Sequence, residues 1–328
     1  MTQRTLGYAP RVAESASLLP GPPTLTRTLL AAPEVARMTT LVAGEEGLDR
    51  EITQPRIQKS GLALAGHMHG LVSTRVQLLG ETELSYLSTL DEATQLARVR
   101  QMFALELCCV LVTRGVDVPK PLLTAARETS TPLVVATHRS SSTIQIVHEV
   151  LDRLLAPRMR VHGVLVDVHG LGILLTGASG IGKSECALFL VERGHRFVAD
   201  DAVDLVRSQN AIVTGSSPPA LRHHLEIRGL GVLNIRDLFG ATAVRESVPI
   251  DLVVELARFD TADDDDRLGL DDRTRDLLGV QVPTLRIPVR EGRDMGVLLE
   301  VAARNQLLKR SGLHGARAFL DRLTSKPG

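Results

Sequence analysis

Aromatic side chains are scarce in this chain of 328 residues, which has six Phe, two Tyr and no Trp. Proteins that bind single-stranded nucleic acid usually stack the bases on aromatic rings, so this class of function is disfavoured. An excess of charge is also absent, because 38 basic residues balance 38 acidic ones. A neutral chain has no general attraction for nucleic acid or for an anionic membrane. We therefore expect neither of them as a partner.

Cysteine is rare as well, with only Cys108, Cys109 and Cys186. An odd number of cysteines, two of them adjacent, does not suggest a disulfide framework. A reducing compartment fits this usage, and we expect the protein to be cytoplasmic. No apolar run approaches the roughly 20 residues that span a bilayer, and the N-terminus lacks the apolar stretch of a signal peptide.

The length of the chain predicts two domains, because it is about twice the size of a usual single domain. Residues 1–30 begin with a stretch rich in Pro, Ser and Gly, which is typical of a flexible leader. Ala156-Pro157 interrupts a predicted helix. We therefore predict an N-terminal domain over residues 31–156 and a second domain over residues 157–328.

In the first domain, short apolar runs alternate with helical patterns. The predicted strands cover residues 76–80, 108–113 and 133–136, and the predicted helices cover residues 81–101, 121–127 and 142–155. Alternation of this kind predicts an α/β domain with a mostly parallel sheet.

The second domain opens with a predicted hairpin. One strand covers residues 161–168, and a second runs over residues 173–176 into a glycine-rich loop. A helix is predicted over residues 184–193, with Gly194 as its C-terminal stop. Short strands and loops are expected from there to about residue 286, followed by helices over residues 295–309 and 316–323.

The strongest motif is the glycine-rich loop, which satisfies the pattern G-x-x-x-x-G-K-[ST] between a strand and a helix. Glycines let the backbone curl so that its N–H groups point at an anion, and the start of the helix adds its positive dipole end. Lys183 is placed to contact the β- and γ-phosphates of a nucleotide, and the Ser184 hydroxyl to bind Mg²⁺. The alternative is a glycine-rich turn that binds nothing. The loop comprises Gly177, Ala178, Ser179, Gly180, Ile181, Gly182, Lys183 and Ser184.

Two adjacent acids, Asp200 and Asp201, follow a short predicted strand soon after this loop. A carboxylate at such a strand end can face the γ-phosphate, where it holds a metal or takes a proton from an attacking hydroxyl. An isolated Asp-Asp pair would more often be a solvated turn. Its proximity to the phosphate loop favours the chemical role.

Further charged candidates lie in two more loops. Glu226 is suited to complete a Mg²⁺ shell and Arg228 to contact phosphate, although an exposed Glu–Arg loop is common. Arg290 and Arg293 flank a glycine just before a predicted helix, which suits either an anion site or an ordinary polar loop. The histidine pairs of the chain have no acidic or cysteine companions at metal-site spacing, so a zinc site there is improbable.

Taken together, the sequence resembles the bacterial HPr kinase/phosphorylase family. The resemblance covers nearly everything after about the first thirty residues. It lies in the first domain in SGLALAG and LLGETELSYL, and in the second domain in VHGVLVDVHGLGILLTGASGIGKSECALFLVERGHRFVADDAV, LEIRGLGVLNIRDLFG, DRLGLDD, IPVREGR and EVAARNQLLKRSG.

The resemblance implies a bifunctional enzyme. Such enzymes phosphorylate a serine of HPr, the carrier protein of the sugar phosphotransferase system, with ATP or pyrophosphate. They also remove that phosphate by phosphorolysis, in which inorganic phosphate takes it up and pyrophosphate is released. The implied fold is an N-terminal α/β domain joined to a P-loop kinase domain similar to phosphoenolpyruvate carboxykinase, and the implied assembly is a homohexamer.

Site residues follow from the same resemblance. The loop with Lys183 would hold ATP, while Ser184 and Glu226 would bind Mg²⁺. Asp201 would act as base in phosphorylation and as acid in the reverse step. His162 and Arg267 would be further active-site residues. A loop important mainly for dephosphorylation would comprise Pro288, Val289, Arg290, Glu291, Gly292 and Arg293.

The chain departs from the family pattern at three places. Asp266 stands where the family usually has tyrosine, Glu291 stands where it has proline, and an aromatic residue is replaced around Ala257. A carboxylate between Arg290 and Arg293 would repel inorganic phosphate. We therefore expect a competent kinase and a comparatively weak phosphorylase.

Two other functions remain open on the residues alone. A P-loop kinase of a small metabolite would share the phosphate loop and would have its own substrate lid. A regulatory module gated by ATP would bind the nucleotide and turn it over slowly.

Overall fold

The computed structural model describes residues 21–115, 117–258, 273–290 and 292–313. They divide into two compact units, of which one ends at Pro157 and the other begins at Arg158. None of the helices in the described ranges is long and apolar enough to cross a membrane.

The first unit alternates short strands with helices. Its described strands are β1 (Thr24–Leu25), β2 (Thr39–Ala43), β3 (Glu51–Ile52), β4 (Gln58–Lys59), β5 (Gln77–Leu79), β6 (Val110–Val112) and β7 (Leu133–Ala136). Its helices are α1 (Thr26–Ala31), α2 (Pro33–Ala36), α3 (Gly61–Leu64), α4 (Glu81–Ser88), α5 (Glu92–Phe103), α6 (Lys120–Glu128) and α7 (Ser140–Leu154).

Five of these strands form one sheet in the order β2-β7-β6-β5-β4. Strands β4 to β7 are parallel and β2 joins antiparallel. Because side chains alternate along a strand, Val110 and Val112 pack with helices α3 to α6, whereas Leu111 packs on the other face with α1, α2 and α7. Apolar side chains on both faces explain the continuous apolar runs in the sequence. The prediction of an α/β domain with a mostly parallel sheet is confirmed.

Acidic side chains of the first unit close the starts of two of its helices. The Gly80 N–H donates to Glu83 Oε2 at 2.9 Å, at the beginning of α4. The Thr94 N–H donates to Asp91 Oδ1 at 2.9 Å, at the beginning of α5. Each acid satisfies a backbone donor that the helix itself leaves unpaired.

The second unit is built on a larger sheet. Its described strands are β8 (Arg158–His162), β9 (Val164–Val168), β10 (Leu171–Gly177), β11 (Arg196–Ala199), β12 (Ala202–Arg207), β13 (Val213–Ser216), β14 (His224–Ile227), β15 (Gly231–Asn234), β16 (Ser247–Arg258), β17 (Thr274–Leu277) and β18 (Val280–Val289). Its helices are α8 (Lys183–Glu192), α9 (Ile235–Phe239) and α10 (Met295–Arg310).

Seven of these strands run in the order β11-β9-β10-β16-β13-β12-β8. Strand β18 pairs with both β16 and β17. The long strand β16 is central, since it pairs in parallel with both β10 and β18. Strands β14 and β15 form a separate hairpin. The parallel core places the loop that follows β10 at one edge of the sheet, where ligand sites of α/β folds are found.

Helices α8 and α10 cover one face of the sheet. Leu190 of α8 and Leu299 of α10 are fully buried against β9, β10 and β16. Complete burial of one such leucine contributes about 1.5–3 kcal/mol to the stability of the folded chain. Cys186 belongs to the same core, and burial raises the pKa of its thiol to about 11.

Two sequence predictions for this unit are wrong. The single strand expected over residues 161–168 is two strands divided at Gly163, because β8 pairs with β12 whereas β9 pairs with β10 and β11. A Cβ atom on Gly163 would lie 2.6 Å from the Leu175 carbonyl oxygen, so only glycine fits at this division. The region expected to hold short strands and loops contains the 12-residue β16 and the 10-residue β18.

Candidate active site

The glycine-rich loop joins the end of β10 to the start of α8. Gly177, Gly180 and Gly182 have φ angles of 138°, 73° and 102°, which side chains rarely permit. A Cβ atom on Gly177 would also lie 2.4 Å from the Leu256 carbonyl oxygen. No side chain among the described residues caps the first turn of α8. The loop and the helix start therefore present backbone N–H groups to an anion.

Lys183 lies directly over this loop. Its side chain is buried, and its Nζ donates to the carbonyl oxygens of Gly177 at 3.2 Å and of Ala178 at 3.0 Å. The ammonium group is thus held against the loop that would surround the phosphates of a nucleotide. A fixed cation at that place stabilises charge on a transferring phosphoryl group.

Asp200 connects the loop to a second segment of the chain. Ser184 Oγ donates to its Oδ1 at 2.9 Å, and the backbone N–H of Glu226 donates to its Oδ2 at 3.0 Å. Burial raises the pKa of the Asp200 carboxyl, and these two hydrogen bonds oppose the rise. Asp200 therefore links the Ser184 hydroxyl to the backbone of Glu226, two residues that were expected to bind metal.

The sequence indicated Asp200 and Asp201 together as candidate acids, but the family resemblance gave a role to Asp201 alone. The adjacency of the two acids at a strand end was the available signal. The Ser184 hydroxyl and the Asp200 carboxylate are in contact, and oxygen ligands of this kind are the ones that Mg²⁺ prefers, so the pair fits a magnesium site beside the Glu226 backbone.

Asp201 and His162 form a second pair. Asp201 Oδ1 lies 3.1 Å from His162 Nδ1, and both side chains are more than half exposed. The antiparallel pairing of β8 with β12 places His162 opposite Ala202, which explains the contact. An exposed carboxylate held by an imidazole at the open side of a phosphate loop can exchange protons with a substrate.

Arg228 also reaches the loop. A Cβ atom on Gly180 would lie 3.7 Å from one of the guanidinium nitrogens of Arg228. The residue follows β14, where the chain turns through Gly229 and Gly231, both with positive φ angles. The structure therefore brings Arg228 to the loop, as expected for a side chain that contacts phosphate.

Two openings border the loop, one at each end. The Gly177 cleft has a volume of about 630 Å³, and its walls include His162, Thr176, Glu255 and Arg275. The Gly182 cavity has a volume of about 450 Å³ and lies between α8 and the start of α10. Its lining residues include Ile181, Glu185, Cys186, Phe189, Arg293 and Met295.

The predicted dephosphorylation loop is described only in part. Pro288 and Val289 end β18, and Val289, Arg290 and Arg293 line the Gly182 cavity. Gly292 has a φ angle of 79°. Glu291 and Arg267 lie outside the described residues, as do Asp266 and the helix predicted over residues 316–323.

One histidine cluster was not anticipated from the sequence. His169, His195 and Glu300 come from three separate segments, and their ligand atoms lie within 4.8 Å of one another. Arg193 binds both carboxylate oxygens of Glu300, and Arg304 donates to His169 Nε2. The hydrogen bonds from Arg193 and His195 lower the pKa of Glu300 to about 2. The positive charges of Arg193 and Arg304 would repel a metal cation, so the cluster is a structural ion-pair network.

Comparison with known proteins covers both units. The family described as HPr Serine kinase N terminus matches residues 31–151, and the HPr Serine kinase C-terminal domain matches residues 153–323. An HPr kinase/phosphorylase of Geobacter sulfurreducens is 46% identical over 286 residues, covering 87% of this chain and 90% of the relative. One of Bacillus cereus is 43% identical over 285 residues, covering 87% and 92%. The solved Hpr(Ser) kinase/phosphatase from Coxiella burnetii is 32% identical, with a TM-score of 0.43, covering 49% of this chain and 98% of that one.

Proposed function

This chain belongs to the HPr serine kinase family over both of its units, and from that premise we propose that it is an HPr kinase/phosphorylase. It transfers the γ-phosphoryl group of ATP to a serine of HPr, and it removes that group with inorganic phosphate. The observation that carries the proposal is the Asp201–His162 pair at the open end of a phosphate loop that already holds a lysine. A nucleotide-binding module needs the loop but has no use for the acid–base pair.

In the forward reaction, the Asp201 carboxylate accepts the proton of the serine hydroxyl as the serine oxygen attacks the γ-phosphorus. The bond between the γ-phosphorus and the bridging oxygen breaks, and ADP leaves with the electron pair. His162 holds the carboxylate by its contact at 3.1 Å. Lys183 and the N–H groups of the loop stabilise the charge that develops on the phosphoryl and leaving oxygens.

Magnesium fits the group formed by Ser184, Asp200 and Glu226. The Ser184 hydroxyl and the Asp200 carboxylate are already in contact, and the exposed Glu226 carboxylate extends the oxygen set. A bound Mg²⁺ would neutralise charge on the β- and γ-phosphates. Burial raises the Asp200 pKa, so a divalent cation beside it would also favour the charged carboxylate.

In the reverse reaction, inorganic phosphate attacks the phosphorus of phosphoserine and pyrophosphate forms. The serine oxygen leaves and takes a proton from Asp201, because the group that accepts the proton forward must return it in reverse. Arg290 and Arg293 are suited to reduce the repulsion between the two anions. The contribution of Glu291 to a weak reverse reaction stays a prediction from the sequence.

Several finer properties complete the proposal. Pyrophosphate can replace ATP as phosphoryl donor, the protein assembles as a homohexamer, and it works in the cytoplasm. The similarity of the second unit to phosphoenolpyruvate carboxykinase likewise stays a prediction.

A direct assay tests the function. The purified protein is incubated with Mg²⁺, ATP labelled at the γ-position, and HPr from the same organism, with an HPr variant lacking the target serine as control. We expect label in HPr and none in the variant. Addition of unlabelled inorganic phosphate should then release labelled pyrophosphate. Transfer to a hydroxylated metabolite with none to HPr would establish the metabolite kinase instead.

A further inference from the structure

The two openings at the ends of the phosphate loop indicate in which orientation a triphosphate would lie along it. His162 lines the Gly177 cleft and contacts Asp201, so the acid–base pair marks that end as the place where the γ-phosphate meets the acceptor. Lys183 reaches the β- and γ-phosphates of a nucleotide in loops of this kind. A triphosphate laid along the loop therefore extends its α-phosphate toward Gly182 and the first turn of α8. Whatever is attached to the α-phosphate must lie beyond that point.

We propose that the Gly182 cavity binds the purine nucleoside of the phosphoryl donor, with the base stacked on Phe189. This inference rests on the proposed function and adds the place where the donor is recognised. The cavity begins at Ile181 and Gly182, at the end of the loop where the nucleoside is required. Its volume of about 450 Å³ lies within the range of small-molecule sites.

The walls of the cavity suit a flat apolar base. Glu185 and Cys186 lie four and three residues before Phe189, so the three share one face of α8, which Gly182 directly precedes. The Phe189 side chain is 55% exposed, although Leu190 and Val191 beside it are buried. Its ring is therefore accessible to a ligand. Stacking on an aromatic ring is the interaction through which proteins bind bases of any sequence.

Polar groups surround this apolar wall. Arg290 and Arg293 stand on the side of β18 and α10, where a guanidinium group can contact the phosphates that adjoin the nucleoside. Glu185 and Glu192 stand on α8, where a carboxylate can accept hydrogen bonds from ribose hydroxyls. A few polar groups around an apolar surface are typical of sites that fix the orientation of a small ligand.

The Gly177 cleft has the opposite character. Its described lining residues include His162, three threonines, Glu255 and two arginines, and no Phe, Tyr or Trp. Such walls suit a hydroxyl acceptor and phosphate groups rather than a base. The difference between the two openings therefore agrees with the orientation of the triphosphate inferred from Asp201.

The test separates the nucleoside from the phosphates. Calorimetric titration measures the affinity of the full-length protein for ATP and for tripolyphosphate, which carries the phosphates without a nucleoside. We expect Phe189→Ala to weaken ATP binding about tenfold and to leave tripolyphosphate binding within about twofold. Phe189→Tyr keeps the ring and should keep the affinity for ATP. Val301→Ala is the matched control, since Val301 is a half-exposed apolar residue of α10 that does not line the cavity.

Other outcomes would overturn the inference. Equal weakening of ATP and tripolyphosphate by Phe189→Ala would mean that the ring supports the loop rather than the base. Unchanged ATP binding, together with a change in HPr affinity or in assembly mass, would make Phe189 part of a protein interface. The proposed function fails by a different result, in which the wild-type protein binds ATP and does not phosphorylate HPr.

Discussion

Helices α4 and α8 begin in a similar way, but the start of α4 is capped by a side chain and the start of α8 is open to a ligand. Each follows a strand that has a parallel neighbour, and each begins directly after a glycine, Gly80 or Gly182. At α4 the Glu83 carboxylate accepts the Gly80 N–H, and Glu81 adds a second acid to the first turn. At α8 the first turn also holds an acid, Glu185, but no capping hydrogen bond from a described side chain forms, and Lys183 lies over the loop.

This difference shows which features turn the N-terminus of a helix into an anion-binding site. Both helices have the same backbone dipole, so the dipole alone does not distinguish them. The first unit uses its own carboxylate as the anion, which stabilises the fold and leaves no room for a ligand. The second unit leaves its backbone donors open and adds a cation, which favours a phosphate from outside. Substitutions at either helix start should therefore have different effects on activity and on stability.

The largest effect is expected from Lys183→Ala. Loss of the fixed cation at α8 should lower the rate of HPr phosphorylation about 10³-fold, because the developing charge on the phosphoryl group is no longer stabilised. Initial rates with labelled ATP measure the loss, and an unchanged melting temperature shows that the fold is intact. Lys120→Ala is the matched control, because Lys120 is the first residue of α6 in the other unit and should not matter. Normal turnover of a folded Lys183→Ala protein would contradict the assignment.

Asp201→Asn should lower phosphorylation and phosphorolysis together, each about a hundredfold or more, because one carboxylate handles the same proton in both directions. Asparagine keeps the size of the side chain and cannot accept that proton. Rates of both reactions are measured at saturating Mg²⁺, beside Asp200→Asn, which should be the milder change. If Asp200→Asn is the more damaging in both assays, the roles of the two acids are reversed.

Glu226→Gln should raise the Mg²⁺ concentration needed for half-maximal activity several-fold, since a hard cation loses one anionic oxygen. The maximal rate at saturating Mg²⁺ should change less. A magnesium titration of the phosphorylation rate measures both quantities, and Glu246→Gln, an exposed acid in the same unit, is the control. A titration curve identical to that of the wild type would remove Glu226 from the metal site.

Asp200→Asn should also change stability, in a direction that depends on pH. Burial raises the folded-state pKa of Asp200, so ionisation at pH values above its ordinary pKa destabilises the folded protein. Without metal, the variant should melt a few degrees above the wild type at pH 7. This gap should close as the pH falls below about 4, where the wild-type carboxyl is protonated in both states. A lower melting temperature for the variant at pH 7 would mean that its lost hydrogen bonds outweigh desolvation.

The smallest effect is expected at the capped helix. Glu83→Ala removes the acceptor for the Gly80 N–H and should cost about 1 kcal/mol locally. Amide hydrogen exchange in the first turn of α4 should become about fivefold faster, because local opening costs less. The kinase rate should stay unchanged. A loss of kinase activity comparable to that of Lys183→Ala would contradict the assignment of a purely structural role to the start of α4.

Local features could be predicted from the sequence because their residues are neighbours in the chain. The loop from Gly177 to Ser184 occupies eight consecutive positions, and its glycines are required by the backbone angles found there. The strands of the first unit were predictable because they are buried on both faces and read as unbroken apolar runs.

Features that join distant segments could not be predicted in the same way. Asp200 meets Ser184 from 16 positions away and Glu226 from 26 positions away, so only the folded sheet brings them together. The division at Gly163 depends on the Leu175 carbonyl oxygen, which belongs to a neighbouring strand. Strand β16 was missed because Pro249, Asp251 and Glu255 interrupt its apolar run.

The backbone of Asp201 has a practical consequence for capturing the enzyme at work. Its φ angle of 65° lies in the left-handed region, which asparagine and aspartate enter far more readily than most other residues. Alanine at this position would disturb the turn and the chemistry at once, whereas asparagine removes only the proton acceptor. Asp201→Asn is therefore the substitution of choice for a substrate trap, in which HPr and ATP remain bound side by side long enough for a ternary complex to be crystallised.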